Sequence, residues 1–138
     1  MIKNGIAVIC SIKPIIFCLL FENAFVGEKF IRLGEVNTAY HRYPIRDHDV
    51  PSAETMISIL NAIDKAIENG GCAYIHCWGG VGRTGMVVGC YLVRHGIENK
   101  QALARVNQLY KTRPNNPYFS HSPENNEQIE FILNWHEG

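Results

Sequence analysis

The chemistry in this chain is concentrated in one run, Cys77-Trp78-Gly79-Gly80-Val81-Gly82-Arg83-Thr84-Gly85, set between a short strand-like segment, Cys72–His76, and an apolar stretch, Met86–His95. Gly79, Gly80 and Gly82 let the backbone bend so tightly that successive N–H groups of Trp78, Gly79, Gly80, Val81 and Gly82 can converge on one anion. A helix starting behind the loop adds its positive end, completing a phosphate-sized cradle. A thiol at the bottom of such a cradle, near a guanidinium, is expected to ionise near neutral pH and act as a nucleophile. Arg83, forked and permanently charged, can hold two phosphate oxygens through in-line transfer, which a lysine could not do with the same geometry. Thr84 can donate its hydroxyl to the thiolate, and His76 can brace the loop through its backbone or side chains.

Two nucleotide motifs compete for the same glycines. The Walker pattern fails, because Gly80 and Gly85 have the right offset but Met86 follows and the loop holds no lysine. Gly80-Val-Gly-Arg-Thr-Gly85 matches GxGxxG, with Glu98 downstream. A dinucleotide fold needs a second strand to carry that acid, whereas Glu98 directly follows a helix end. Neither motif accounts for Cys77 and Arg83 at the two ends of the loop.

The elements that must position this loop follow from hydrophobic spacing. Gly5–Ile12, Lys29–Leu33 and Thr38–Ile45 read as strands, and Pro44 and Pro51 bracket an irregular loop containing Asp47 and Asp49. Ser52 is the expected N-cap of a helix through Met56, Ile59, Leu60, Ile63 and Ile67, stopped by Gly70-Gly71. After the cradle, helices are expected over Met86–His95, Glu98–Tyr110 and Pro123–His136, with Arg113–Ser122 as a polar surface loop. Strands alternating with helices predict an α/β fold with a mainly parallel central sheet flanked by helices and ligand loops at strand C-termini.

Composition agrees with a single domain over residues 1–138, without internal repeats or a linker. At 46% hydrophobic and 19% charged, the chain has enough apolar surface for a core. The 13 Lys+Arg balance the 13 Asp+Glu, which disfavours a nucleic-acid or anionic-membrane partner. Locally, Cys77–Arg113 is basic and the segment from Pro114 onward is acidic, a pattern that fits either a field drawing a phosphorylated ligand to the middle of the chain or ordinary solvated helix faces. The 5 cysteines form no CxxC pair, so neither a zinc ribbon nor a disulfide framework is indicated and a reducing, cytoplasmic setting is expected. Lys3, Lys13 and Pro14 break the apolar N-terminus into runs well short of the ~20 residues that cross a bilayer. Met1–Phe25 has an apolar centre, Ile15–Phe21, but no convincing small-residue cleavage site, and it is read as buried strand and connecting segment.

Taken together, His76-Cys77-Trp78-Gly79-Gly80-Val81-Gly82-Arg83-Thr84-Gly85 resembles the signature of the cysteine-dependent protein phosphatases, HCx5R followed by Ser or Thr and Gly. The resemblance runs from about Tyr40 to Trp135; residues 1–35 match only as a loose strand pattern. It implies a dual-specificity-phosphatase-like domain, a phosphocysteine intermediate, no metal or cofactor, and an aspartic acid on a mobile loop that protonates the leaving oxygen. In the tyrosine and dual-specificity branches that acid precedes the cysteine, as Tyr43-Pro-Ile-Arg-Asp47-His-Asp49-Val-Pro51 does here. The family's proline four residues after the aspartate matches Pro51 to Asp47 and makes Asp47 the preferred acid over Asp49. The family's Trp-Pro-Asp triplet is replaced by Ile45-Arg46-Asp47. Near the C-terminus, Ser122–Phe131 resembles the segment whose polar residues line the site and position the hydrolytic water. Glu124 falls at the usual glutamine position, where a carboxylate would repel phosphate, so it is expected to cap its helix. Asn125 and Gln128 are supporting site candidates, set against an ordinary solvated helix face.

The resemblance implies hydrolysis of a phosphorylated protein or small phosphomonoester by a monomer. Trp78 is a candidate wall for a shallow, dual-specificity pocket, although core packing is the commoner use of tryptophan. Phosphoinositide enzymes of the family tend to carry lysines in the loop, and this loop has none. An RNA 5′-phosphatase would need a basic groove. A non-catalytic phosphoprotein-binding relative would usually lose the nucleophile or the acid, and both remain. Sulfur-transfer or arsenate-reducing chemistry lacks a resolving CxxC, and Cys72 and Cys90 read as core residues.

Overall fold

The computed structural model describes residues 6–11, 38–112 and 118–138. Three strands and four helices follow in the order β1 (Ile6–Ser11), β2 (Thr38–Tyr43), α1 (Ala53–Glu68), β3 (Cys72–His76), α2 (Gly82–Arg94), α3 (Asn99–Tyr110) and α4 (Asn126–Leu133). The strand expected at Lys29–Leu33, the apolar Ile15–Phe21 stretch and part of the polar loop after Arg113 lie outside the described residues.

The sheet order is β2-β1-β3. β1 pairs antiparallel with both neighbours, so the mainly parallel sheet expected from strand–helix alternation is not what the described strands form. The reason is a long-range pairing: β2, α1 and β3 make a strand–helix–strand unit whose strands point the same way, but β1 lies between them and runs opposite. Tyr43 faces Ile6 and His76 faces Ala7 in the two registers. Both strands therefore release their following loops from the same end of the sheet.

α1 starts where a capping residue allows it. Ser52 sits in extended backbone with its Oγ accepting from Thr55 N at 3.2 Å, and Met56, Ile59, Leu60 and Ile63 turn inward at helical spacing. Ile67, on the same expected stripe, is exposed in the last turn. Gly70 ends the helix with a φ of 75°, and Gly71 N returns to Ala66 O at 3.0 Å. α2 begins four residues before the expected Met86, at Gly82, so the end of the glycine loop is already its first turn. Met86, Val87 and Cys90 are fully buried, and burial, followed by the charge of Glu137, pushes the Cys90 thiol far up. Glu98 caps α3 through Gln101 N at 3.2 Å; Val106 is buried, whereas Leu109 is exposed. α4 is shorter than expected, and Ile132 packs so closely on Gly89 of α2 that a Cβ there would collide with it.

Polar contacts fix the helices to one another. Arg94 grips Glu137 with Nε and Nη2 at 2.6 and 2.7 Å and reaches Asn61 and Asp64 on α1 with Nη1 at 2.9 Å. His95 joins the same Asp64 at 2.8 Å. The helix that carries Arg83 is thus tied at its far end to α1 and to the C-terminal segment. Among the described residues no helix is long and apolar enough to cross a membrane.

Candidate active site

The site is made by the loops that leave β2 and β3. Cys77 is the first residue after β3 and is buried. The chain then turns through Gly80, whose φ of 65° suits a residue without Cβ, into α2. No side chain caps α2 at Val81. Ser122 Oγ instead donates to the Val81 carbonyl at 2.6 Å from behind, in a space that a Cβ at Gly85 would invade. Gly82 is pressed just as closely by Glu124 and Gln128. The loop is thus held by residues 122–128.

Thr84, in the first turn of α2, donates its hydroxyl to Cys77 Sγ at 3.1 Å. Arg83 has only 2% of its side chain exposed. Its Nη1 donates to Ile45 O at 3.1 Å and its Nη2 to Asp47 Oδ1 at 2.8 Å, so both arms of the fork reach the loop after β2. That loop turns at Asp47-His48, with Asp49 N bonded to Arg46 O at 3.1 Å and His48 at a φ of 63°. Asp49 differs from Asp47 in what it touches: its Oδ1 accepts from the next amide, Val50 N, at 2.9 Å. The fold therefore pairs Thr84 with Cys77 and Arg83 with Asp47, and gives Asp49 a local backbone role.

His76 Nδ1 makes a long 3.4 Å contact with the Cys77 carbonyl, its ring stacks on Tyr74, and its buried Nε2 has no partner among the described residues. Burial lowers its pKa, with the Cys77 carbonyl opposing, so the imidazole is held neutral. Trp78, next to Cys77 in the chain, is 47% exposed and therefore does not pack in the core.

The C-terminal candidates are placed differently from expectation. Asn125, not Glu124, caps α4: its Oδ1 accepts from Gln128 N at 3.0 Å. Glu124 is largely buried against Gly82, with Oε1 3.3 Å from His48 Nδ1, because the packing of α4 on the cradle points it at the loop after β2. Gln128 is fully buried, not on a solvated face, and its Oε1 has no partner among the described residues. Asn125 Nδ2 donates to His48 O at 2.8 Å, and Gln128 Nε2 lies 3.5 Å from Asp49 O. Sequence reasoning missed His48, Ser122 and the Ile45 carbonyl, whose partners lie 38 to 41 positions away or further and leave no local pattern.

Among the described residues, Asp47, His48 and Glu124 offer donor atoms within 4.8 Å of one another, close enough for a cation. Arg83 at 2.8 Å from Asp47 already supplies a positive charge to that cluster, which opposes a metal there.

Residues 24–97, more than half of the chain, match the family described as "Polymorphic toxin system, DSP-PTPase phosphatase". Among curated proteins the chain is similar to the protein tyrosine phosphatase domain-containing protein 1 of Bos taurus, 34% identical over 50% of this chain and 8% of that protein. It is similar to the phosphatidylinositol 3,4,5-trisphosphate 3-phosphatase and protein-tyrosine-phosphatase PTEN1 of Arabidopsis thaliana, 31% identical over 71% of this chain and 22% of that protein. The uncharacterized protein MJECL20 of Methanocaldococcus jannaschii is 30% identical over 67% of this chain and 56% of its own length. The chain thus spans little more than half of these relatives at most. No solved structure matches it. With the HCx5R loop, the arginine fork and the preceding acidic loop in one site, the chain belongs to the DSP-PTPase phosphatase family of polymorphic toxin systems.

Proposed function

We propose that this chain is a phosphomonoester hydrolase acting on phosphorylated tyrosine, serine or threonine side chains through a phosphocysteine intermediate. Cys77 Sγ attacks phosphorus in line, the bond from phosphorus to the leaving oxygen breaks, and that oxygen takes a proton from Asp47. Water then attacks the phosphocysteine and gives a proton to the Asp47 carboxylate. The P–S bond breaks, and inorganic phosphate and the thiolate are released. Arg83 and the amides of residues 78–82 hold the equatorial oxygens throughout.

Two contacts at the loops that leave β2 and β3 support this reading. Thr84 donates to the sulfur at 3.1 Å, where a thiolate's charge would sit, and the neighbouring Arg83 holds Asp47 at 2.8 Å. Asp47 occupies a guanidinium nitrogen that a phosphate dianion also seeks. Substrate entry would therefore displace the carboxyl from Arg83 and turn it toward the leaving group. The sulfur supplies the nucleophile and the arginine and amides the countercharge, so the reading calls on no metal or cofactor. The lysine-free loop and the exposed Trp78 beside Cys77 favour a protein substrate over a polyphosphoinositide. A reduced thiol is required, which suits a monomeric single domain working in a reducing cytoplasm.

The test is turnover of p-nitrophenyl phosphate and of phosphotyrosine and phosphothreonine peptides, with chelator present, by the parent and by Cys77→Ser. We expect metal-free turnover that the substitution abolishes. Undiminished activity in Cys77→Ser would refute the nucleophile assignment.

A further inference from the structure

The start of α4 touches both catalytic loops at once. On one side, Glu124 and Gln128 pack against Gly82 and Ser122 holds the Val81 carbonyl, so the back of the cradle rests on residues 122–128. On the other side, the same few residues hold the loop that carries Asp47. That loop needs outside support, because His48 adopts a φ of 63°, which a residue with a Cβ occupies only when its surroundings enforce it. The enforcing contact is Asn125 Nδ2 to the His48 carbonyl at 2.8 Å. Glu124 Oε1, 3.3 Å from His48 Nδ1, and Gln128 Nε2, 3.5 Å from Asp49 O, flank it.

The Asn125 amide is used at both ends. Its oxygen caps Gln128 N at 3.0 Å while its nitrogen holds His48 O, so turning the amide over would set an acceptor against the carbonyl and a donor against the N–H. Asn125 is therefore a rigid tie from the helix that backs the cradle to the peptide immediately after Asp47. Arg83 holds the loop from its other side, through Ile45 O and Asp47, so the loop is fixed between the two.

We infer that Asn125 is a positioning residue for the proton donor: it holds the Asp47 loop at the height over Cys77 from which the leaving oxygen is protonated. This deepens the phosphocysteine reading and rests on it. The role is distinct from lining the phosphate or orienting water, since both polar ends of Asn125 are engaged with the protein.

The experiment separates the tie from the helix cap. Asn125→Ser keeps a neutral and equally good N-cap but is too short to reach His48 O, whereas Asn125→Ala removes both functions. The rates kcat and kcat/KM are measured for the parent, both variants and Asp47→Asn on aryl phosphates ranging from good to poor leaving groups, alongside thermal unfolding. Proton donation matters most for poor leaving groups and contributes about 10²–10⁴-fold in such reactions. We expect Asn125→Ser to melt close to the parent, to lose roughly tenfold or more in kcat on phenyl phosphate, and to change little on the most activated ester, steepening the leaving-group dependence in the same sense as Asp47→Asn. A parent-like slope in Asn125→Ser beside a steep one in Asp47→Asn overturns the positioning role alone, as does an equal loss on every ester. A parent-like slope in Asp47→Asn removes the acid assignment and this inference with it. Should Asn125→Ser melt well below the parent, Asn125→Gln, which keeps the amide on a longer arm, serves as the second variant and is held to the same slope criterion.

Discussion

Replacing Arg83 by lysine tests the geometry of the site while keeping its charge. The guanidinium makes two bonds in different directions, Nη1 to Ile45 O at 3.1 Å and Nη2 to Asp47 at 2.8 Å, from a side chain only 2% exposed. A lysine has one nitrogen and cannot serve both, nor can it offer a phosphate two parallel donors. A hydrogen bond to a charged group is worth about 1.5–3 kcal/mol. At about 1.4 kcal/mol per factor of ten, losing one such bond in the transition state should lower kcat roughly 10- to 150-fold. The lost donor to Ile45 O, also from the charged guanidinium, should cost about 1.5–3 kcal/mol of stability, or about 5–12 °C in melting midpoint for a domain of this size. The assay is steady-state hydrolysis of p-nitrophenyl phosphate, with inorganic phosphate as a competitive inhibitor to report ground-state affinity. Arg83→Ala should fall further, because it also leaves the Asp47 carboxylate without its cation. If Arg83→Lys keeps kcat and phosphate affinity within about twofold of the parent, the fork does not grip the transferred group and the reasoning from its geometry fails.

Asp47→Asn should slow hydrolysis of phenyl phosphate by about 10² or more, while Asp49→Asn, whose Oδ1 can still accept from Val50 N, should stay close to the parent; the reverse order in a rate comparison would move the proton donor two residues along. His76 contributes a pH dependence to stability. Its folded-state pKa is depressed below the ordinary 6.5, chiefly by burial, so in mild acid the unfolded chain binds more protons than the folded one. Stability should be complete above that ordinary value and erode as pH falls below it. In denaturant titrations between about pH 7.5 and 5.5 the decline should be smaller in His76→Gln than in the parent; equal declines would remove His76 as the cause.

The parts of the fold that were legible in the sequence are those fixed by neighbours along the chain. Ser52, the Met56–Ile63 stripe and Gly70 each act through contacts within a turn or two, and they mark where α1 starts and stops, although Ile67 leaves the buried stripe. The glycine loop was legible because its spacing has few uses other than binding an anion. Strand direction was not, since β1 pairs with partners far along the chain and nothing in Ile6–Ser11 records that it lies between two strands running the other way. Glu124 and Asn125 show the same limit at the level of a single bond. Each residue type caps helices, and only the packing of α4 on the cradle decides that Asn125 does so while also reaching His48, 77 positions away. Gln128 read as surface because its neighbours Glu127 and Glu130 are polar, yet it faces Gly82, where the missing side chain makes room for it.

The strand between β2 and β3 has a further consequence. Adjacent strands lie about 4.8 Å apart, so the exits toward Asp47 and Cys77 are separated by two such intervals, roughly 10 Å of backbone spacing. β1 is thus a gauge block: the spacing of the two strand exits is a property of main-chain pairing, and side chains such as Arg83 and Asn125 act on the loops beyond it. Arg83 bridges from the start of α2 to the loop beyond β2. Substitutions at the exposed Arg46 or Trp78 should therefore leave that strand spacing unchanged.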